Sequence, residues 1–124
     1  MTESLEDYLE MVSFLSDDGE VRVTDIAARL NVSKPSVHTA LKNLEEQELI
    51  QHKRYQNVTL TKRGAQRAAA IRKKHQFLTD FLISIVGVDA AIAERDACKM
   101  EHVLSPETLK RMKILATNLK SSAL

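Results

Sequence analysis

Leu5, Leu9, Val12 and Leu15 recur at helical spacing, with Met11 and Phe14 beside them, and predict a first helix over residues 3–16. Asp17-Asp18-Gly19-Glu20 interrupts the pattern as a turn, and Val21-Arg22-Val23 follows as a short extended piece. A second helix is expected from Asp25 to Leu30, capped by Thr24 or Asp25, with Ile26, Ala27 and Leu30 turned inward. After the turn Asn31-Val32-Ser33, the stripe Val37, Leu41 and Leu44 predicts a third helix over 34–47. Ser33 suits its N-cap, and Pro35 falls in the first turn, where a missing N–H does no harm. Ser36, His38, Thr39, Lys42 and Asn43 fall off the buried stripe.

The period then changes from helical to alternating. Leu49-Ile50-Gln51-His52-Lys53-Arg54 and Asn57-Val58-Thr59-Leu60-Thr61 read as two strands of a hairpin, with Tyr55-Gln56 between them and basic residues near the tip. A long fourth helix is expected from Thr61 or Lys62 to Val86, stopped by Gly87, with Gly64 tolerated near its start. Asp89 is placed to cap a fifth helix over 90–103. Ser105-Pro106-Glu107 starts a sixth, over 106–119, with Leu109, Met112, Leu115 and Leu119 as its inner stripe. Helix, turn, helix, then a hairpin is the order of a winged helix-turn-helix. The expected fold is therefore mainly α, a winged helix-turn-helix over residues 1–62 followed by an all-helical domain over 63–124.

Composition narrows the setting. A chain of 124 residues holds one domain, or two small ones sharing a long helix, and 44% hydrophobic residues is ordinary for a globular protein. The apolar run Phe81–Val88 is too short to span a bilayer, and the acidic N-terminus lacks the layout of a signal peptide. One cysteine makes no intramolecular disulfide, so a cytoplasmic location with the thiol reduced is expected. The net charge of +1 conceals a division. Residues 22–74 hold 12 of the 18 Lys and Arg against four acids, a net +8, and the remainder carries −7. A basic block that coincides with a helix-turn-helix points to a nucleic-acid face beside an acidic, cation-attracting body.

A helix-turn-helix presents the N-terminal end of its second helix to the major groove of double-stranded DNA. The residues placed there are Ser33, Lys34, Pro35, Ser36, Val37 and Thr39. Hydroxyls meet several base edges, and Pro35 or Val37 suits a thymine methyl. No Arg stands at the front of this helix, so modest direct readout is expected, aided by A·T content and DNA shape. Lys42, Lys53 and Arg54, with Lys34 and Lys62, are expected to contact phosphates.

A second kind of chemistry lies in Cys98-Lys99-Met100-Glu101-His102. On a helix, Cys98, Glu101 and His102 share one face. Asp7 and Glu10 form another pair at helical spacing, and His75 stands on a third helix. Each has an ordinary alternative: a core thiol, a surface pair, first-turn acids, a solvated histidine. Six donors on three helices together make a mixed oxygen, nitrogen and sulfur set. Such a set suits Mn²⁺, Fe²⁺, Co²⁺ or Zn²⁺ rather than Ca²⁺ or Mg²⁺. His38 and His52 lie in the DNA-reading half and are left out of it.

With these donors in view, the chain resembles the family of the diphtheria toxin repressor and the manganese transport regulator, metal-dependent bacterial repressors. The resemblance rests on Leu5-Glu6-Asp7-Tyr8-Leu9-Glu10, Val32-Ser33-Lys34-Pro35-Ser36-Val37, Leu60-Thr61-Lys62-Arg63-Gly64, Lys74-His75, Val86-Gly87-Val88-Asp89 and the stretch from Asp96 to Ser105. It implies a winged-helix half, a helical dimerisation half, and metal bound where they meet. Asp7, Glu10, His75, Glu101 and His102 match ligands of the manganese branch. Cys98 instead resembles the iron branch, which has Met where this chain has Asp7. The site is thus a hybrid, with Mn²⁺ or Fe²⁺ as the expected effector and Co²⁺ or Zn²⁺ competent in vitro. The resemblance also suggests that Glu94 joins His75 in an ancillary site with a water. Because the sequence ends at Leu124, the short form without the SH3-like domain is expected.

The combined expectation is a homodimeric, metal-activated repressor of metal-uptake genes that reads a palindromic operator. No membrane or catalytic role is expected, since no nucleophile or general base stands beside the cluster. Two other classes stay open on the sequence: a winged-helix regulator answering a non-metal ligand or a protein partner, and a metal-dependent hydrolase.

Overall fold

The structure, a computed structural model, describes residues 3–52 and 57–122. It divides into two units, one ending at Arg72 and one starting at Lys73.

The first unit is a three-helix cluster with a hairpin: α1 (Glu3–Asp17), α2 (Val23–Leu30), α3 (Lys34–Glu46), β1 (Ile50–His52), β2 (Val58–Leu60) and the first part of α4 (Lys62–Phe81). Leu9 and Val12 of α1, Ile26 of α2, and Val37, Leu41 and Leu44 of α3 are buried together with Leu49, Ile50, Val58, Ala68 and Ile71. Each large aliphatic side chain buried in this way contributes about 1.5–3 kcal/mol. The turn between α2 and α3 is made by Asn31, left-handed at φ 55°, a conformation that asparagine tolerates. Ser33 then caps α3 by accepting the Ser36 N–H at 3.2 Å, with Pro35 in the first turn.

α2 begins earlier than the sequence suggests. It starts at Val23, Arg22 occupies the cap without a side-chain bond, and Thr24 and Asp25 lie inside the helix. The reason is a non-local one: Val21 bridges Val58, whose N–H donates to the Val21 carbonyl at 2.9 Å. That bridge ends the extended piece after one residue.

β1 and β2 pair antiparallel in the register Ile50↔Leu60, Gln51↔Thr59, His52↔Val58. The hairpin tip, with Lys53 and Arg54, lies outside the described residues. At the base of the hairpin, Thr61 ties three elements. Its hydroxyl donates to the Glu48 carbonyl at 2.6 Å and accepts the Gly64 N–H at 3.0 Å. Its own N–H donates to the Leu49 carbonyl at 3.0 Å. Gly64 is required here: a Cβ on it would run into that same Leu49 carbonyl.

The second unit holds the remainder of α4, a widened turn Leu82–Val86, α5 (Ala90–Val103) and α6 (Pro106–Ser122). The helix expected to reach Val86 thus changes its winding at Leu82, and Gly87, left-handed at φ 85°, returns its N–H to the Leu82 carbonyl at 2.9 Å. Asp89 caps α5 by accepting the Ala91 N–H at 3.3 Å, and Ser105 caps α6 by accepting that of Thr108 at 3.1 Å. Leu78, Leu82, Ala93 and Ala97 form the core, with Phe77, Met100, Leu109 and Met112 packed on it. The expected inner stripe of α6 is only half correct. Leu115 and Leu119 are 47% and 44% exposed, and Ala116 is the buried residue of that turn. Ile83, Val86, Ile92, Val103 and Ile114 are exposed as well. Among the described residues, no helix is long and apolar enough to cross a membrane.

Candidate metal centre and nucleic-acid interface

In the second unit, α4 supplies His75 and α5 supplies Glu94, Cys98, Glu101 and His102. Ala93 and Ala97, both fully buried, keep the facing surface of α5 slim where it packs on Leu78 and Leu82. His75 Nδ1 lies 2.8 Å from Glu101 Oε2, and its Nε2 lies 2.7 Å from Glu94 Oε1. His102 Nε2 lies 3.2 Å from Glu101 Oε1. The Glu101 side chain is fully buried and that of His102 is 1% exposed, while Glu94 reaches to the surface. The Thr79 hydroxyl donates to the His75 carbonyl at 2.8 Å, one turn along α4.

A carboxylate without access to water is costly unless opposite charge or hydrogen-bond donors meet it. Glu101 has two imidazoles at its oxygens. Imidazole nitrogen and carboxylate oxygen at such close quarters, with a thiol on the same helix, form a donor set that fits a divalent first-row ion. A metal-binding histidine is commonly oriented by a carboxylate at its other ring nitrogen, and Glu94 stands in that position at His75 Nε2, with Nδ1 turned to Glu101.

The structure therefore brings His75, Glu101 and His102 together, and adds Glu94 to them. Cys98 shares the helix one turn earlier but is exposed. Asp7 and Glu10 belong to the first unit, one turn apart on α1, Asp7 partly buried and Glu10 buried. Glu94, which the resemblance paired with His75, stands four residues before Cys98 and seven before Glu101, on the same side of α5.

The second candidate surface is α3. Ser33, Lys34, Pro35, Ser36, Thr39 and Lys42 are all exposed. Val37 is not: its exposure is 0%, and its side chain belongs to the core with Leu41 and Leu44. It is corrected from a base contact to a packing residue, and of the two apolar candidates Pro35 alone remains for a thymine methyl. The Ser33 and Ser36 hydroxyls lie 2.9 Å apart, and the Thr39 hydroxyl donates to the Pro35 carbonyl at 3.1 Å. Asn43, which the sequence placed off the buried stripe without a role, lines the same cleft as Ser36, Thr39, Leu5 and Tyr8.

Residues 1–58 match the family model described as the iron dependent repressor, N-terminal DNA binding domain, and residues 61–122 match that family's metal binding and dimerisation domain. The chain belongs to the iron dependent repressor family. It is 34% identical over 122 residues to an HTH-type transcriptional regulator of Methanocaldococcus jannaschii, across 97% of this chain and 98% of that protein. It is 41% identical over 113 residues to the transcriptional regulator MntR of Escherichia coli, across 90% of this chain and 72% of the relative. The solved structure of the manganese regulator SloR superposes with a TM-score of 0.79 at 28% identity over 94% of this chain. This chain spans 55% of the SloR chain. Iron dependent repressors are transcriptional regulators, not enzymes, and they combine DNA binding, dimerisation and a divalent metal. Mainly helical architecture with an N-terminal winged helix-turn-helix is the family fold.

Proposed function

We propose that this chain is a metal-activated repressor of metal-uptake genes, working in the cytoplasm as a homodimer on a palindromic operator, with Mn²⁺ or Fe²⁺ as effector. In this reading residues 1–62 read DNA and residues 63–124 bind metal and dimerise. Asp7, Glu10, His75, Cys98, Glu101 and His102 are the proposed ligands, with Glu94 ancillary through His75. Co²⁺ and Zn²⁺ are expected to bind in vitro. The observation that carries the proposal is the buried Glu101 carboxylate between the imidazoles of His75 and His102. The names of the relatives, manganese regulators among them, favour the same effector class.

A bound divalent ion supplies positive charge that several carboxylates and imidazoles share at once. Glu94 would orient His75 through Nε2, which leaves Nδ1, on the Glu101 side, as the ring's donor to the ion. Glu101 and His102 are adjacent on α5 and move as one piece with that helix. Asp7 and Glu10 stand on α1, which packs on the DNA-reading helix α3. Ligands drawn from α1 as well as α4 and α5 make the orientation of the reading heads depend on the effector. Without it, only a small fraction of dimers would present both heads correctly, and operator affinity falls by that fraction. A coupling of about 1–3 kcal/mol per subunit is the expected scale. The exposed Ile114, Leu115, Leu119 and Val103 fit a face that a second copy covers.

The test is operator binding by metal-stripped protein, followed by fluorescence anisotropy in anaerobic titrations with Mn²⁺, Fe²⁺ and, as control, Mg²⁺. Tightening by about tenfold or more with Mn²⁺ or Fe²⁺ alone is expected. Affinity that is indifferent to all three ions would sink the proposal.

A further inference from the structure

Two histidines remain outside the metal set, and both lie on the DNA-reading side. His38 is exposed on α3, four residues before Lys42. His52 ends β1, the strand that leads into the hairpin tip. Their rings lie near-parallel, 27° apart in plane, with centroids 6.2 Å from each other. The His52 N–H donates to Glu45 Oε2 at 3.2 Å, which pins the start of the wing to the last turns of α3. Rings so spaced form a loose, offset stack that joins helix and wing, with both ring edges, where the N–H groups lie, at that one junction.

DNA geometry says what passes over that junction. A helix in the major groove and a wing beside it leave one sugar-phosphate strand running over their junction. Imidazole N–H groups donate to phosphate oxygens at about 2.9 Å. Two stacked rings offer in-plane N–H groups at neighbouring edges, within reach of a single phosphate group, and Lys42, one turn along α3, adds a positive charge nearby. We propose that His38 and His52 form a DNA phosphate site at the joint of recognition helix and wing, with Lys42 supporting it. Glu45 is the opposing element: its carboxylate braces the wing through the His52 N–H, yet its charge repels the anion. The site so built is sequence-independent and sets affinity and register, not base choice. It rests on the DNA-binding reading above.

The experiment uses the full chain with Mn²⁺ and several unrelated duplexes of the same length, at one fixed salt concentration, by fluorescence anisotropy. His38→Ala with His52→Ala is expected to weaken binding roughly tenfold on every duplex alike. His38→Gln with His52→Gln keeps amide N–H donors and recovers part of the loss. Glu45→Gln keeps an acceptor for the His52 N–H, removes the charge, and is expected to tighten binding severalfold. Melting curves accompany each variant, and if the Ala pair melts early the exposed His38→Gln and Glu45→Gln changes decide alone. Unchanged affinity in the His variants, or a loss confined to one base sequence, overturns the phosphate site. Wild-type protein that binds no duplex overturns the DNA reading itself, a separate and visible failure.

Discussion

Glu101 Oε2 stands 2.8 Å from His75 Nδ1, and no part of the Glu101 side chain reaches solvent. A residue so placed is poorly suited to a role in solubility or surface pairing. Glu101→Ala is expected to abolish the thermal stabilisation that Mn²⁺ or Fe²⁺ gives the wild type. For a site loaded at about 100 times its dissociation constant, that stabilisation is about 2.7 kcal/mol. Differential scanning calorimetry of stripped and metal-loaded protein reads it directly, and an unchanged metal response in the variant would remove Glu101 from the ligand set.

Cys98 stands one turn before the proposed ligands Glu101 and His102 on α5 yet is exposed. Sulfur favours softer ions, and a carboxylate favours harder ones. Cys98→Glu is expected to shift preference away from Co²⁺ and Zn²⁺ toward Mn²⁺, as read by competition calorimetry. Identical selectivity before and after the change would place the thiol outside the coordination sphere.

Val37 and Ser36 are neighbours with opposite duties. Val37→Ala removes buried methyl groups and is expected to cost about 2 kcal/mol in urea unfolding. Ser36→Ala leaves stability nearly unaltered, because the Ser33 hydroxyl still accepts the Ser36 N–H, and shows its effect in operator affinity. Reversal of that pattern would mean that α3 is turned otherwise.

Gly64→Ala would improve an ordinary helix by about 1 kcal/mol. Here the added Cβ meets the Leu49 carbonyl, backbone that has no easy retreat. Net destabilisation of roughly 1–3 kcal/mol is expected from the overlap. A rise in the urea midpoint would show that the hairpin base yields.

Leu115→Arg and Leu119→Arg place charge on a surface that is already about half exposed in the single chain. Sedimentation velocity is expected to show weaker self-association. The helical content of the chain should stay as it was. Dimers of undiminished strength would put the interface on another face.

Local chemistry in the sequence sufficed for much of this molecule. Ser33, Pro35, Asp89, Ser105 and Gly87 act within a few residues of themselves, so their caps and stops are readable one segment at a time. Val21 escaped because its partner, Val58, lies far along the chain, and no local pattern announces the bridge that moves the start of α2. Gly64 looked merely tolerable because the Leu49 carbonyl that demands it belongs to another element. Leu115 and Leu119 follow the helical period faithfully, but a period cannot say whether the partner surface is the same chain or a second copy. Of the proposed metal donors, the trio on α5 declared itself by spacing. His75 and Glu94 needed the packing of α4 on α5 to meet at 2.7 Å.

The widened turn at Leu82–Val86 gives this protein a kind of phase lock. Each added residue of a helix rotates the downstream chain by about 100°. Leu78, Phe81 and Leu82 point inward and Ile83 outward as on an ordinary helix, and the loosened turn shifts the count after Leu82, so that Val86, four residues on, is exposed. Exchanging one aliphatic side chain for another there leaves that count intact. Removing a single residue is expected to rotate the chain that leads into α5 and to carry Glu94 and Glu101 out of step with His75. Natural variation in this segment is therefore expected to change its letters freely and its length hardly ever.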